Sequence, residues 1–195
     1  RLAADEPLLR ERLAGLVDGY AAVEASVADL LDAGFDADCA EAVDSAAKLC
    51  ADLGHEVVED KPSFDFEKVV RAWTNVVLCG TALSVQTRAQ ALGRKAGKDD
   101  LEPAILNACE IAPSVSGTAY LAAINLVHAT GRLFERFMQK YDVLLNATLA
   151  EPPAVVGRFA MSNPDFLDYR LGPTGTIRYS PFTSLFNISG QPAMS

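Results

Sequence analysis

"DADCAEAVDSAAKLCADLGHEVVED", residues Asp36–Asp60, decides the fold. Cys39, Ala42, Val43, Ala46, Cys50 and Leu53 recur at the 3.6-residue period of a helix with one apolar face. Asp38 followed by Glu41 has the spacing of a capping box. Gly54 suits the stop, because glycine takes up the left-handed conformation at a helix end without steric cost. "HEVVED" follows at once, with two β-branched residues bounded by charge, and reads as a strand. Helix, glycine and strand make half of an α/β unit.

Upstream, residues 1–33 read as helical, in "EPLLRERLAGLV" and "AAVEASVADLLDAG", with Gly15, Gly19 and Gly34 as punctuation and Pro7 in a first turn. Downstream, Phe66, Val69, Val70, Trp73, Val76 and Val77 repeat at helical spacing. "GRKAGKDD" (93–100) is a charged loop, "LEPAILNACEIA" (101–112) a short helix, and residues 117–141 a longer helix with a basic end that suits the macrodipole. "DVLLNATLA" (142–150) is a second strand, whose continuous apolar start suits burial on both faces. Residues 151–179 are rich in loop signals, the kind of segment that shapes binding sites. "SPFTSLFNISG" reads as a short helix with Ser180 as N-cap and Pro181 at the first helical position. "QPAMS" reads as the start of a strand. The chain thus holds one domain's worth of α/β elements, with helices outweighing strands.

Composition narrows the function. Of 195 residues, half are hydrophobic and 22% charged, an ordinary globular balance. The net charge of -9 repels phosphate backbones, so a nucleic-acid partner is not expected. No apolar run is long enough to cross a bilayer, and the charged first residues do not form a signal peptide. The four cysteines include no C-x-x-C pair and read as free thiols of a cytoplasmic protein.

No constellation of residues makes a self-contained catalytic site. Ser45 and Lys48 have S-x-x-K spacing but fall on the wet face of their helix, with Glu41, Asp44 and Asp52. A nucleophile needs a pocket and a base with a shifted pKa, and a solvated lysine offers neither. His55 and His128, the two histidines, lack partners for a triad or a zinc site and read as structural. Asp99 and Asp100 lie in the charged loop. Gly172, Gly175 and Gly190 have the wrong spacing for a phosphate loop, and no lysine follows them.

Three stretches, "CAEAVDSAAKLCADLGHEVVED", residues 101–157 with their "YDVLL" start to a strand, and "SPFTSLFNISGQPAMS", occur in order and together resemble the later part of amidase signature enzymes. The resemblance covers residues 36–195; residues 1–35 match poorly, and a strand is expected shortly before Asp36. It implies part of the amidase signature fold, an α/β, helix-rich architecture with a mixed sheet flanked by helices. The family's lysine, bridging serine and nucleophilic serine belong to an upstream glycine- and serine-rich stretch. No such stretch stands among these residues, so no catalytic role is carried over, and the chain is expected to be an inactive C-terminal portion of an amidase.

What the resemblance leaves to this portion is one wall of the acyl pocket, with Trp73, Cys79, Ile177, Ser180 and Ser184 as substrate-binding residues. Ile177, Ser180 and Ser184 are related by helical i, i+3 and i+4 spacing. Plain core packing for Trp73 and a helix cap for Ser180 stay open beside that. The implied substrate is a small or linear amide with an apolar acyl side, cleaved without metal or organic cofactor. The implied partner is the catalytic half of the same enzyme, with a homodimer left open and no membrane or nucleic-acid partner. Two other functions remain: a non-catalytic domain that only packs against a partner, and an amidotransferase A-type subunit acting on charged tRNA.

Overall fold

The computed structural model describes residues 21–24 and 36–194. In chain order the elements are β1 (Ala21–Glu24), α1 (Ala37–Asp52), β2 (Glu56–Glu59), α2 (Phe66–Ala91), α3 (Pro103–Ile111), a 3-10 turn (Ala112–Ser114), α4 (Gly117–Met138), β3 (Val143–Leu145), α5 (Phe166–Leu171), α6 (Thr176–Tyr179) and α7 (Pro181–Ser189). The described residues form two compact units, those up to residue 63 together with 133–152, and residues 64–132 together with 153–194.

The first unit is a parallel sheet in the order β2-β1-β3. Val23 of β1 stands opposite Val58 on one side and Leu144 on the other. The pairing is parallel throughout the described strands, so the antiparallel member of a mixed sheet is not among them. Residues 21–24 are therefore strand, where the sequence reads as helix; the remainder of the 1–35 segment lies outside the described residues. Alanine and glutamate favour helix locally, and pairing on both edges overrides that preference.

Helix α1 crosses from β1 to β2, completing a β-α-β unit. Its N-cap is Asp36, not Asp38: the Asp36 carboxylate accepts from the Asp38 amide at 2.9 Å. The Asp36 amide in turn donates to the Ala150 carbonyl at 3.0 Å, fixing the helix start to the chain beyond β3. At the other end the Gly54 amide donates to Ala51 and the His55 amide to Cys50, the double bond of a Schellman stop, with Gly54 at φ 93°. Ala47, Leu49 and Cys50 are buried, so the apolar face read from the sequence is turned slightly to take in Ala47 and Leu49.

The second unit is helical. Leu78 of α2 packs with Ala108 and Ala112 and with Phe166 of α5. Ala104 and Ala108 are fully buried, small enough for α3 to lie close against its neighbours. Phe182, Leu185 and Ile188 bury one side of α7. A Cβ on Gly131 of α4 would lie 3.1 Å from the Ser189 carbonyl oxygen, so this glycine allows a close approach of α4 to the end of α7. After Gly190, at φ 74°, residues 191–194 form no regular element; the strand expected from "QPAMS" is absent there. No helix among the described residues is long and apolar enough to cross a membrane.

Candidate functional site

The segment from α5 to α7 is built to hold a fixed shape. The Asp165 side chain caps α5 by accepting from the Leu167 and Asp168 amides. The Asn107 side chain accepts from the Phe166 amide at 3.0 Å and ties α5 to α3. A tight turn, closed by the Gly175 amide on the Gly172 carbonyl, then leads into α6. A Cβ on Gly175 would stand 2.6 Å from the Arg170 carbonyl oxygen, so only glycine fits. The Tyr179 hydroxyl accepts from the Ala154 amide at 2.9 Å, and Arg158 lies over the Phe159 and Tyr179 rings.

Three of the residues expected in the pocket stand here. Ile177 is buried in α6. Ser180 holds the N-cap position of α7, as its sequence context implies, with Pro181 next to it. Its backbone, at φ -127° and ψ 63°, interrupts the helix, so Ile177 and Ser184 sit on two helices rather than along one. The Ser180 hydroxyl caps no backbone amide and shares a 2.6 Å hydrogen bond with the Thr183 hydroxyl. Ser184 is buried and donates to the Pro181 carbonyl at 2.7 Å.

The other two are on α2. Its N-cap, Asp65, accepts from the Lys68 amide. Trp73 and Cys79 are both half-buried. They are six positions apart, which turns them about 120° from one another around the helix, so they do not share one face. Helix α2 packs on α3, the 3-10 turn and α5, while α6 packs on α5 and α7. The two groups of residues are thus connected through α5.

Sequence reading missed two polar groups that the fold buries near these positions in the chain. The Thr74 hydroxyl, next to Trp73, is buried without a hydrogen-bond partner among the described residues. Arg170 holds its guanidinium 5.9 Å from the centre of the Phe166 ring, and its Nε has no partner there either. Burial lowers the Arg170 pKa from its ordinary value. Neither has a sequence signal, because each looks like an ordinary surface residue of an amphipathic helix.

What the described residues can do chemically is limited. Burial raises the pKa values of Cys39, Cys50 and Cys109, and Asp36 adds to the effect at Cys39, so these thiols stay protonated near neutrality. Ser45 and Lys48 are exposed, as is His128; His55 is half-buried, with its Nδ1 unpaired among the described residues. No group of three or more His, Cys, Asp and Glu residues that could hold a metal occurs among the described residues. A cavity of about 380 Å³ opens where the end of α2 faces the loop 94–101, and none of the five expected residues lines it.

No family model matches the chain. Its fold matches part of an amidase signature enzyme: a bacterial aryl acylamidase of that family superposes with a TM-score of 0.69 at 16% identity, over 93% of this chain and 37% of that one. The resemblance to 6-aminohexanoate cyclic dimer hydrolase is nearer. A solved structure of that enzyme complexed with substrate gives a TM-score of 0.78 at 21% identity, over 93% of this chain and 39% of that one. In sequence, the 6-aminohexanoate-cyclic-dimer hydrolases of Paenarthrobacter ureafaciens and Pseudomonas sp. (strain NK87) are each 26% identical over 168 residues, 84% of this chain. The chain spans about a third of the length of these relatives, 34% in each case.

Proposed function

We propose that these residues are the acyl-side portion of a cytoplasmic amidase that hydrolyses a carboxylic amide by serine acyl transfer. The observation that carries this reading is the agreement of fold over 93% of the chain with an amide hydrolase, at a TM-score of 0.78. The absence of an activated nucleophile among the described residues fits a part that holds the substrate while a catalytic portion supplies serine and lysine. On α2 the half-buried Trp73 is the residue best placed to meet the acyl chain, with Cys79 on a different face, while Ile177, buried in α6, supports the wall from behind. Ser180 and Ser184 fix the break between α6 and α7, so that the pocket wall keeps its shape. The substrate class is a small amide with an apolar acyl side, and 6-aminohexanoate cyclic dimer, named for the relatives, is the first compound to try. Serine acyl transfer of this kind uses no metal or organic cofactor.

In the enzyme that carries these residues, Trp73→Ala should raise KM for an amide with an apolar acyl chain about tenfold and leave kcat nearly unchanged, the signature of lost ground-state binding. Steady-state kinetics on wild type and variant decides it, and an unchanged kcat/KM would remove Trp73 from the pocket. The 195 residues by themselves should release neither ammonia nor amine from simple amides. Turnover by them that a serine-directed inhibitor abolishes would overturn the division of labour. A domain that only packs against a partner is the reading left if the whole enzyme is also inactive.

A further inference from the structure

The cavity at the end of α2 is independent of the residues discussed above and does not rest on the amidase reading. One wall is the last turns of α2, with Val85, Ala89 and Leu92; the other is the loop 94–101, with Ala96 and Leu101. Both walls are fixed. Gly93, at φ 65°, closes α2 with a Schellman stop: its amide donates to Gln90 and the Arg94 amide to Ala89. Arg94 then grips Asp100 with two bonds of 2.8 and 2.7 Å, and Asp100 also accepts from the Gly97 amide. The loop is thereby folded back over the helix end.

Charge decides what fits. Arg94 and Asp100 neutralise one another. The remaining charge on the lining is Arg88, which is exposed and pairs with no carboxylate among the described residues. Its neighbours at helical spacing are Ser84, Val85, Ala91 and Leu92, none of them acidic. Arg71, on the same helix, shows the contrast: it pairs with Glu67 four residues back at 2.6 Å. The cavity therefore combines apolar walls with one uncompensated cation and the Ser84 hydroxyl beside it. At about 380 Å³ it stands toward the small end of ligand sites, which run from about 300 to 1,000 Å³.

We infer that this cavity binds a small amphiphilic monocarboxylate, its apolar chain against Val85, Ala89, Leu92, Ala96 and Leu101 and its carboxylate on Arg88. The probe is octanoate below its micelle concentration, titrated calorimetrically into the protein, with octanamide as the neutral analogue. Octanoate should bind at one saturable site, about tenfold more tightly than octanamide, with a similar loss in Arg88→Gln, because one charge-assisted contact is removed in each case. Arg71→Gln should bind like wild type. Ala96→Trp, which fills the cavity from the loop side, should abolish binding and provides a second test should Arg88→Gln fail to fold. Absence of saturable binding, equal affinity for acid and amide, or undiminished binding by Arg88→Gln or Ala96→Trp would each overturn the assignment.

Discussion

Gly175 shows how much one missing side chain matters. Its φ of -73° suits any residue, so its requirement is steric: the Arg170 carbonyl occupies the space of a Cβ. Gly175→Ala should cost about 1–3 kcal/mol, the range for overpacking a rigid site, and lower the thermal midpoint. An unchanged midpoint would show that the turn relaxes freely. Asp100 offers a test by pH. Its hydrogen bonds to Arg94 and to the Gly97 amide hold its pKa down to about 2, below that of a free carboxylate. The folded-state pKa is lowered, so its contribution is fully present above about pH 4 and is lost as pH falls toward 2. Amide exchange in the loop 94–101, corrected for its intrinsic pH dependence, should quicken over that window, and Asp100→Asn should remove the transition. Neither residue announces its role in sequence. Gly175 reads as one more loop glycine and Asp100 as one of a solvated pair, because their partners are set by the fold.

Long helices were more legible than short elements, and the reason is physical: β1 lies where the sequence reads as helix, and α5 and α6 lie within residues 151–179, which read as loop. The apolar stripes of α1, α2, α3 and α4 are local patterns, repeated over several turns within one segment. The strand β1 is four residues long, and its partners, β2 and β3, are far along the chain. Nothing local in "AAVE" signals pairing on both edges. The capping box failed for a similar reason: Asp36 and Asp38 are chemically alike, and the chain direction set by the bond to Ala150 decides between them. Helix α7 was read with its cap position and Pro181 correct, although the Ser180 hydroxyl turns to Thr183 instead of the backbone. Its anchor is Phe182, 1% exposed, and Phe182→Ala should destabilise the protein by about 3–5 kcal/mol, measurable by denaturant unfolding. A loss below about 1 kcal/mol would mean that α7 is not held by its buried face.

For the whole molecule, the order of several weak stretches carried more than any one motif. That order pointed to the amidase signature fold, and enzymes of that fold match 93% of the chain, although the mixed sheet expected with it is not seen among the described strands. The five residues expected to bind substrate rest on that likeness alone; they lie on α2, on α6 and at the start of α7, and none of them lines the described cavity. The cavity was not legible at all, because it requires the loop 94–101 to fold back on α2 through the Arg94–Asp100 pair. The measurement that tests the central claim most directly is release of ammonia or primary amine by the protein that carries these residues in its source. It is incubated with 6-aminohexanoate cyclic dimer and with small linear amides of apolar acids, and the products are separated by chromatography. The account expects ammonia or amine from at least one of these amides, with loss of activity after treatment with a serine-directed inhibitor. Folded protein that cleaves none of them, or whose cleavage survives the inhibitor, would contradict it.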